Sequence, residues 1–544
     1  MLKDFLWCFS LANLIFLKEW HRLLATYDPK LAYFRKGPPD TTLLLATIAA
    51  ILLLSCGFWL CAMQLRKSGS RFLINLSHAV FLLTLVVALN LLVLECAQSF
   101  QNHTTRVYLG ILATLLRVLL ISAAVLVFAH PTKITVRAGR ALLMVLSPLF
   151  FLNLASIGWM RCQTPTSAFV EREASHSQIS QAGSRVVVLI FDELDQNLTF
   201  DNRPGTIELP EIDRFRSQAL YATRAYPPGG NTNEALPALT TGRIVSSAEV
   251  VAPSSLLLTF KAAHQKELWG AQPNVFSRAS DAGFASGLVG WYHPYCRILG
   301  GSLADCSWEE PVEPFVEQEQ LRFIGLGPGI LNLLTDKLDL VTFSGYFGIL
   351  PSIAPASNEV IAAVKTKHLQ SYDAVLKRAR GMVSNPRLNL AWIHFPFPHP
   401  PGIYDRREKK PSLSPTSNYL DNLELVDRTL HDLRSRMELA DLGDKTTVVV
   451  TSDHPLRTNL WKGLSYWSRE FTEIADAIPD KRVPFLVLIP GQTAGSVYSK
   501  TINSVLLHDL VLALLKKEIS TVGGLATWLD DNRTRFAQDG NVSS

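Results

Sequence analysis

Residues 42–65, 73–96, 107–129 and 141–160 form four near-continuous apolar runs, each close to the ~20 residues that carry a helix across a bilayer. No other feature constrains the fold as much. A run of this length satisfies its backbone internally in lipid, which predicts a bundle of transmembrane helices. The chain has 544 residues, 48% of them hydrophobic, and the apolar excess sits before residue 160, so a soluble part follows the membrane part. A fifth, shorter run at 5–17 stops at Lys18-Glu19-Trp20-His21-Arg22. It reads as a short span or an interfacial helix, giving four or five helices, and it lacks the small-residue cleavage site of a removed signal peptide. Arg117 lies well inside the third run; it snorkels, pairs with another helix, or serves a function.

Basic residues set the expected orientation. Arg66, Lys67 and Arg71 occupy one short loop and Lys133, Arg137 and Arg140 another, while the loop between them carries only Arg106. The two basic loops should face the cytoplasm, which puts the large C-terminal part outside it, on a multi-pass protein of the cell (inner) membrane. Lys18, Arg22, Lys30, Arg35 and Lys36 run against this rule, because they too would lie outside. The net charge is +5 and no Lys/Arg block occurs, which excludes nucleic acid as an expected partner. Cys296 and Cys306 bracket the glycine-containing loop 297–305; in an oxidising compartment they would form a disulfide, and otherwise remain two thiols.

The chain then divides into a transmembrane region at 1–161, a polar linker at 162–184, a catalytic-sized domain at 185–530 and a tail at 531–544. Residues 186–191 are a continuous run rich in β-branched side chains, the pattern of a strand covered on both faces. Residues 285–289, 388–393, 446–451 and 484–489 repeat it. Helical patterns at 359–382 and 419–439 alternate with these strands, while 325–329 and 351–355 read as loops. The expected fold is α/β, and such sheets place their sites beyond the carboxyl ends of strands.

Three positions there carry chemistry. Asp192-Glu193 follows the first strand and Asp453-His454 follows 448–452. Buried acids at a strand end are costly unless paired, solvated or bound to a cation. A carboxylate beside an imidazole suits zinc or manganese better than calcium. The third is Thr232, just after the turn Pro227-Pro228-Gly229-Gly230 and at the head of a helical pattern. A helix N-terminus favours an anion, and a nearby metal would turn the hydroxyl into a nucleophile. Without a metal, Thr232 reads as an N-cap.

Together these stretches resemble the sulfatase-type branch of the alkaline phosphatase superfamily. The sulfatase pattern Cys-x-Pro-Ser-Arg-x-x-Leu-x-Thr-Gly-Arg aligns without gaps on 232–243, where Leu239, Thr241, Gly242 and Arg243 match. Thr232 fills the nucleophile slot, and Glu234, Ala235 and Leu236 fill the Pro, Ser and Arg slots. Ala282-Gly283-Phe284 with Val289-Gly290-Trp291-Tyr292-His293, the loop Pro398-His399-Pro400-Pro401, and Tyr419-Leu420-Asp421-Asn422 through Asp427 resemble further family segments. The resemblance covers roughly 185–515 and implies an alkaline-phosphatase-like α/β/α sandwich.

Departures shape what the resemblance implies. A threonine cannot become the aldehyde that sulfatases make from Cys or Ser, and Trp291 stands where they carry a sulfate-binding lysine. A threonine nucleophile behind a membrane bundle instead resembles phosphoethanolamine transferases and lipoteichoic acid synthases. That resemblance implies metal contacts from Asp192, Thr232, Asp453 and His454, with Glu193 at a second metal or behind the first. It implies phosphate binding or leaving-group protonation by His399, and it makes His293, His394 and Lys462 candidate substrate contacts. The expected reaction transfers or hydrolyses a phospho-group from a membrane lipid or envelope substrate. A sulfatase-like hydrolase of another ester, or a non-catalytic scaffold on the same fold, are the competing readings. Pro455 replaces the glycine usual after Ser-Asp-His, so the following loop must differ.

Overall fold

The computed structural model describes residues 2–67, 70–98, 133–172, 184–262, 265–311, 326–341, 358–462, 470 and 481–537. They divide into two compact units. The first takes the described residues of 1–31, 39–165 and 317–353; the second takes 32–38 and the described residues of 166–316 and 354–544.

The first unit is helical: Leu2–Ile15, Leu17–Tyr27, Thr42–Lys67, Arg71–Gln98, Lys133–Leu146, Pro148–Gln163 and Leu326–Val341. Trp7, Leu11, Ala46, Ala50, Leu85, Leu143, Phe150 and Leu333 are among the side chains of its core. Two stretches are long and apolar enough to cross a membrane, Thr42–Lys67 and Ile134–Gln163. The second of these is interrupted near Ser147, ahead of Pro148, because proline cannot donate to the preceding turn. The short run at 5–17 breaks between Ile15 and Leu17, and its inner residues pack within the unit. The third apolar run, with Arg117, lies outside the described residues. Leu326–Val341 is a helix despite Gly327 and Pro328; the loop expected at 325–329 is overridden by tertiary context.

The second unit is built on an eight-stranded sheet: β1 (Arg185–Asp192), β2 (Leu220–Ala222), β3 (Ser286–Trp291), β4 (Asp305–Glu309), β5 (Leu390–Pro398), β6 (Thr446–Thr451), β7 (Phe485–Leu488) and β8 (Ser496–Tyr498). The spatial order is β8-β2-β7-β6-β1-β5-β3-β4. Within it, β7 runs antiparallel to its neighbours β6 and β2, and the other pairs are parallel.

All of β1 is buried, and its alternating side chains feed two cores, as strand geometry requires. Val186, Val188 and Ile190 join Leu507, Leu510 and Val511 of the helix Leu507–Leu515. Val187, Leu189 and Phe191 join Val375 and Ala379 of one helix, and Leu423 and Val426 of another. Those two helices are α2 (Asn358–Val383) and α3 (Tyr419–Leu439), with α1 being Thr232–Thr241. Helices on both faces of a mainly parallel sheet make an α/β/α sandwich. A separate antiparallel sheet, Val245–Ala252, Ser255–Phe260 and Lys266–Leu268, follows α1. Cys296 and Cys306 form a disulfide.

Candidate active site

The parallel strands β6, β1, β5 and β3 end along one edge of the sheet, and the residues expected to carry chemistry follow them. The register of β1 against β5 shifts between Phe191 and Asp192, and Asp192 is fully buried at that point. Asp453-His454 follows β6, and both side chains are fully buried. Thr232 is 4% exposed and opens α1. Its expected capping task belongs to a neighbour: Asn231 is the N-cap, and its side chain accepts from the Glu234 N–H at 3.1 Å. Thr232 is therefore the first helical residue, and its hydroxyl has no capping duty.

That hydroxyl lies 3.1 Å from His454 Nε2. His454 Nδ1 is 3.1 Å from the Pro455 carbonyl. A carbonyl only accepts, so Nδ1 carries the hydrogen and Nε2 turns a lone pair toward Thr232. The same nitrogen is 3.6 Å from Asp192 Oδ1 and 3.4 Å from Asp453 Oδ2. One ligand atom each from Asp192, Asp453 and His454 lies within 4.8 Å of the others.

Asp453 Oδ1 accepts from the His454 N–H at 2.9 Å, whereas its buried Oδ2 has no hydrogen-bond partner among the described residues. A buried carboxylate oxygen without a donor costs several kcal/mol (roughly 1–3 or more). A divalent cation removes that cost, and this mixed O and N donor set fits one.

Glu193 departs from its expected metal role. Its carboxylate accepts from Arg457 Nε at 2.6 Å and from Trp461 Nε1 at 2.8 Å, so both oxygens are engaged outside the triad. Burial raises its pKa, and the charge of Arg457 opposes that shift. Its φ is +61°, a strained value for a residue with a Cβ. The Tyr419 hydroxyl donates to its carbonyl at 2.7 Å and helps to hold it there.

His293 is not free to contact a substrate. Its Nδ1 is 2.8 Å from the Tyr33 hydroxyl and its Nε2 3.2 Å from the Thr232 carbonyl. Burial lowers its pKa to about 3, so the ring is neutral. His394 sits at the edge of the cluster, with Nδ1 3.1 Å from the Trp291 carbonyl and Nε2 3.8 Å from Asp192 Oδ2. Its pKa is lowered to about 4, mainly by burial.

His399 follows β5, and its Nδ1 donates to the Pro400 carbonyl at 2.6 Å. Burial, then His368, holds its pKa well below the ordinary range. In that neutral tautomer Nε2 is an acceptor. Nε2 is thus the ring nitrogen that the Pro400 carbonyl does not engage. Lys462 is exposed at the end of the short helix Thr458–Trp461, apart from the buried cluster.

Several supporting residues had no role assigned from the sequence. Arg457 and Trp461 claim Glu193. Asn422 Nδ2 reaches the carbonyls of Pro398, His399 and Pro401 at 3.1–3.4 Å and so fixes the His399 loop. His368, buried on α2, packs its ring 6.0 Å from that of His399 and 5.8 Å from that of Trp291. The tyrosine and asparagine of the helix segment after residue 418 were visible in the sequence, but not their targets. Gly242 ends α1 with φ +69°, and a Cβ there would meet His508 Nδ1 at 2.9 Å. Arg243 stacks over Phe260, 3.5 Å from the ring centre.

The α/β/α sandwich thus carries a buried Asp/Asp/His triad of metal-ligating residue types beside a helix-opening hydroxyl. The chain belongs to the sulfatase family: the family model described as Sulfatase matches residues 184–516.

Among curated proteins none matches. Solved structures similar to this chain include PsFucS1 sulfatase from Pseudoalteromonas sp., at 15% identity over 62% of this chain and 69% of that one, with TM-score 0.40. The phosphonate monoester hydrolase SpPMH from Silicibacter pomeroyi is 15% identical over 61% and 73%, with TM-score 0.36. A protein in the alkaline phosphatase superfamily from Vibrio parahaemolyticus is 11% identical over 64% and 72%, with TM-score 0.35. At such values these likenesses decide nothing about chemistry.

Proposed function

We propose that this chain is a membrane-anchored, metal-dependent phospho-group transferase or phosphodiesterase with Thr232 as its nucleophile. The observation that carries the reading is the Thr232 hydroxyl 3.1 Å from His454 Nε2, inside a buried cluster with two carboxylates. The β-carbon of threonine bears a methyl group, so its oxidation would give a ketone and not the aldehyde that sulfatases use. The hydroxyl itself must be the reacting group.

Asp192, Asp453 and His454 would hold the cation, zinc or manganese by donor type, with Thr232 at its edge. When bound, it supplies a lowered hydroxyl pKa and offsets phosphoryl charge. The protein does the rest. Thr232 Oγ1 loses its proton to solvent and forms a bond to phosphorus as the bond to the first alcohol breaks; the departing oxygen takes a proton from solvent, leaving a phosphothreonine. The N-terminus of α1 faces the phosphoryl charge with its partial positive end. An acceptor hydroxyl or water then attacks phosphorus and frees Thr232. His399 Nε2 is assigned to take the proton of that second nucleophile.

The substrate class is a lipid head group or cell-envelope phosphodiester, presented at the membrane. Two apolar helices of spanning length support the anchor. So do the outward apolar side chains Leu52, Leu53, Leu60, Phe151, Leu152 and Trp159 of the first unit, which a lipid phase would cover. The disulfide supports a catalytic unit outside the cytoplasm.

The test is full-length protein reconstituted in vesicles of phosphatidylethanolamine and phosphatidylglycerol. Metal-dependent release of diacylglycerol, lost in Thr232→Ala, is the expected result. Cleavage of an aryl sulfate with no lipid product would defeat the reading.

A further inference from the structure

We propose that Tyr33 is a positioning residue for the nucleophile, acting through His293 on the backbone of Thr232. The inference rests on the reading of Thr232 as the nucleophile and adds what sets its place.

Hydrogen-bond chemistry fixes the direction of the relay. The Thr232 carbonyl only accepts, so His293 Nε2, 3.2 Å away, carries a hydrogen and donates it. In the neutral ring Nδ1 is then a lone pair, and the Tyr33 hydroxyl donates to it at 2.8 Å. Tyr33 and His293 are fully buried and Thr232 nearly so, so water does not substitute for any of these partners. The plane of the imidazole is set by rings at its edges: Trp269 at 5.0 Å, Tyr33 at 5.9 Å and Tyr295 at 5.6 Å between centres.

The segment that carries Tyr33 is itself clamped. In sequence it joins the helices Leu17–Tyr27 and Thr42–Lys67 of the first unit, yet residues 32–38 belong to the second. The buried Arg297 guanidinium donates to the carbonyls of Ala32, Tyr33 and Arg35 at 3.4, 2.9 and 2.5 Å. Lys36 pairs with Glu309 at 2.8 Å. Phe34 packs edge-on to Tyr292, whose hydroxyl accepts from the Asn233 side chain at 3.2 Å. Arg297 is next to Cys296, which the disulfide ties to Cys306.

Two residues of 32–38 thus lead to the first turn of α1, through His293 to Thr232 and through Tyr292 to Asn233. Such a device holds a hydroxyl in register with His454, and misplacement of a reacting atom by about 1 Å can cost on the order of a hundredfold in rate.

The test uses full-length Tyr33→Phe, which keeps the ring and its packing and removes only the hydroxyl, beside His293→Ala and the double variant. The reaction is followed with a 4-nitrophenyl phosphodiester and by the rate of Thr232 phosphorylation. The relay predicts that kcat falls about tenfold in Tyr33→Phe with KM within about twofold, and with metal content and melting temperature unchanged. It also predicts that the double variant is no slower than His293→Ala. Wild-type kcat in Tyr33→Phe would overturn it. So would additive losses in the double variant, or a loss of kcat matched by losses of metal and stability. If the wild type turns over without phosphorylating Thr232, the nucleophile reading itself fails, and the relay with it.

Discussion

Glu193 carries a fully buried carboxylate on a left-handed backbone, and its charged partner among the described residues is Arg457, 26% exposed on its side chain. Removing one member of such a pair strands the other. Arg457→Met should therefore destabilise the protein by about 3 kcal/mol, at the lower end of the cost of breaking a buried pair, as read by urea unfolding. Adding Glu193→Gln should restore part of that loss.

At the nucleophile, Thr232→Ser keeps the hydroxyl and should keep measurable turnover. Thr232→Ala should lower kcat by at least about a thousandfold, with melting temperatures close to wild type in both.

The sequence made Asp192, Asp453 and His454 legible because each follows a β-branched strand, and strand ends are where such sheets place chemistry. Glu193 was legible as an acid and misleading as a ligand, since its direction depends on Arg457 and Trp461, more than 260 residues away. His293 misled for the same reason, because its partner Tyr33 comes from a segment 260 residues upstream.

Among the elements, α3 shows how tertiary contacts finish what local sequence leaves undone. The helix Pro210–Gln218 has Leu209 at its N-cap, which offers no side-chain bond. Asp427 of α3 supplies it from outside, accepting from the Ile212 N–H at 2.8 Å and meeting the positive end of that helix. Burial nevertheless outweighs these bonds and raises the Asp427 pKa from 3.8 to about 6.

A carboxyl with a raised folded pKa binds its proton more tightly when folded. Stability from this group is present below the unfolded pKa and is lost as pH rises from about 4 to about 6. The loss is of order 2–3 kcal/mol. The stability difference between Asp427→Asn and wild type should shift by about 2 kcal/mol in favour of the variant between pH 4.5 and 7, measured by denaturant unfolding at both.

Helices α2 and α3 were legible from their periodicity, and so were β1 and β6 from their apolar β-branched runs. The short strands β2, β4 and β8 were not, because three to five residues carry too little pattern. The antiparallel sense of β7 was also hidden, since direction depends on the connection and not on composition.

For the whole molecule, an apolar first third ahead of alternating strands and helices was legible, but the first unit also takes Leu326–Val341 from the middle of the chain, which was not. The crossing of residues 32–38 into the second unit was not. Those residues sit between apolar helices in sequence, and their contacts with Arg297, Tyr292, His293 and Glu309 reveal where they belong. Pro148 shows a comparable limit: a run that looked continuous is two helices.

The account depends on one proposition, that a buried cation site and the Thr232 hydroxyl act as a single reactive centre. Intact-mass and metal analysis of the purified full-length protein, wild type beside Thr232→Ala and after quenching during turnover of a phosphodiester, tests it most directly. The account predicts bound divalent metal in both proteins, and a phospho-adduct mapped to Thr232 that only the wild type forms. Turnover by a metal-free protein, or an adduct on any other side chain, would contradict it.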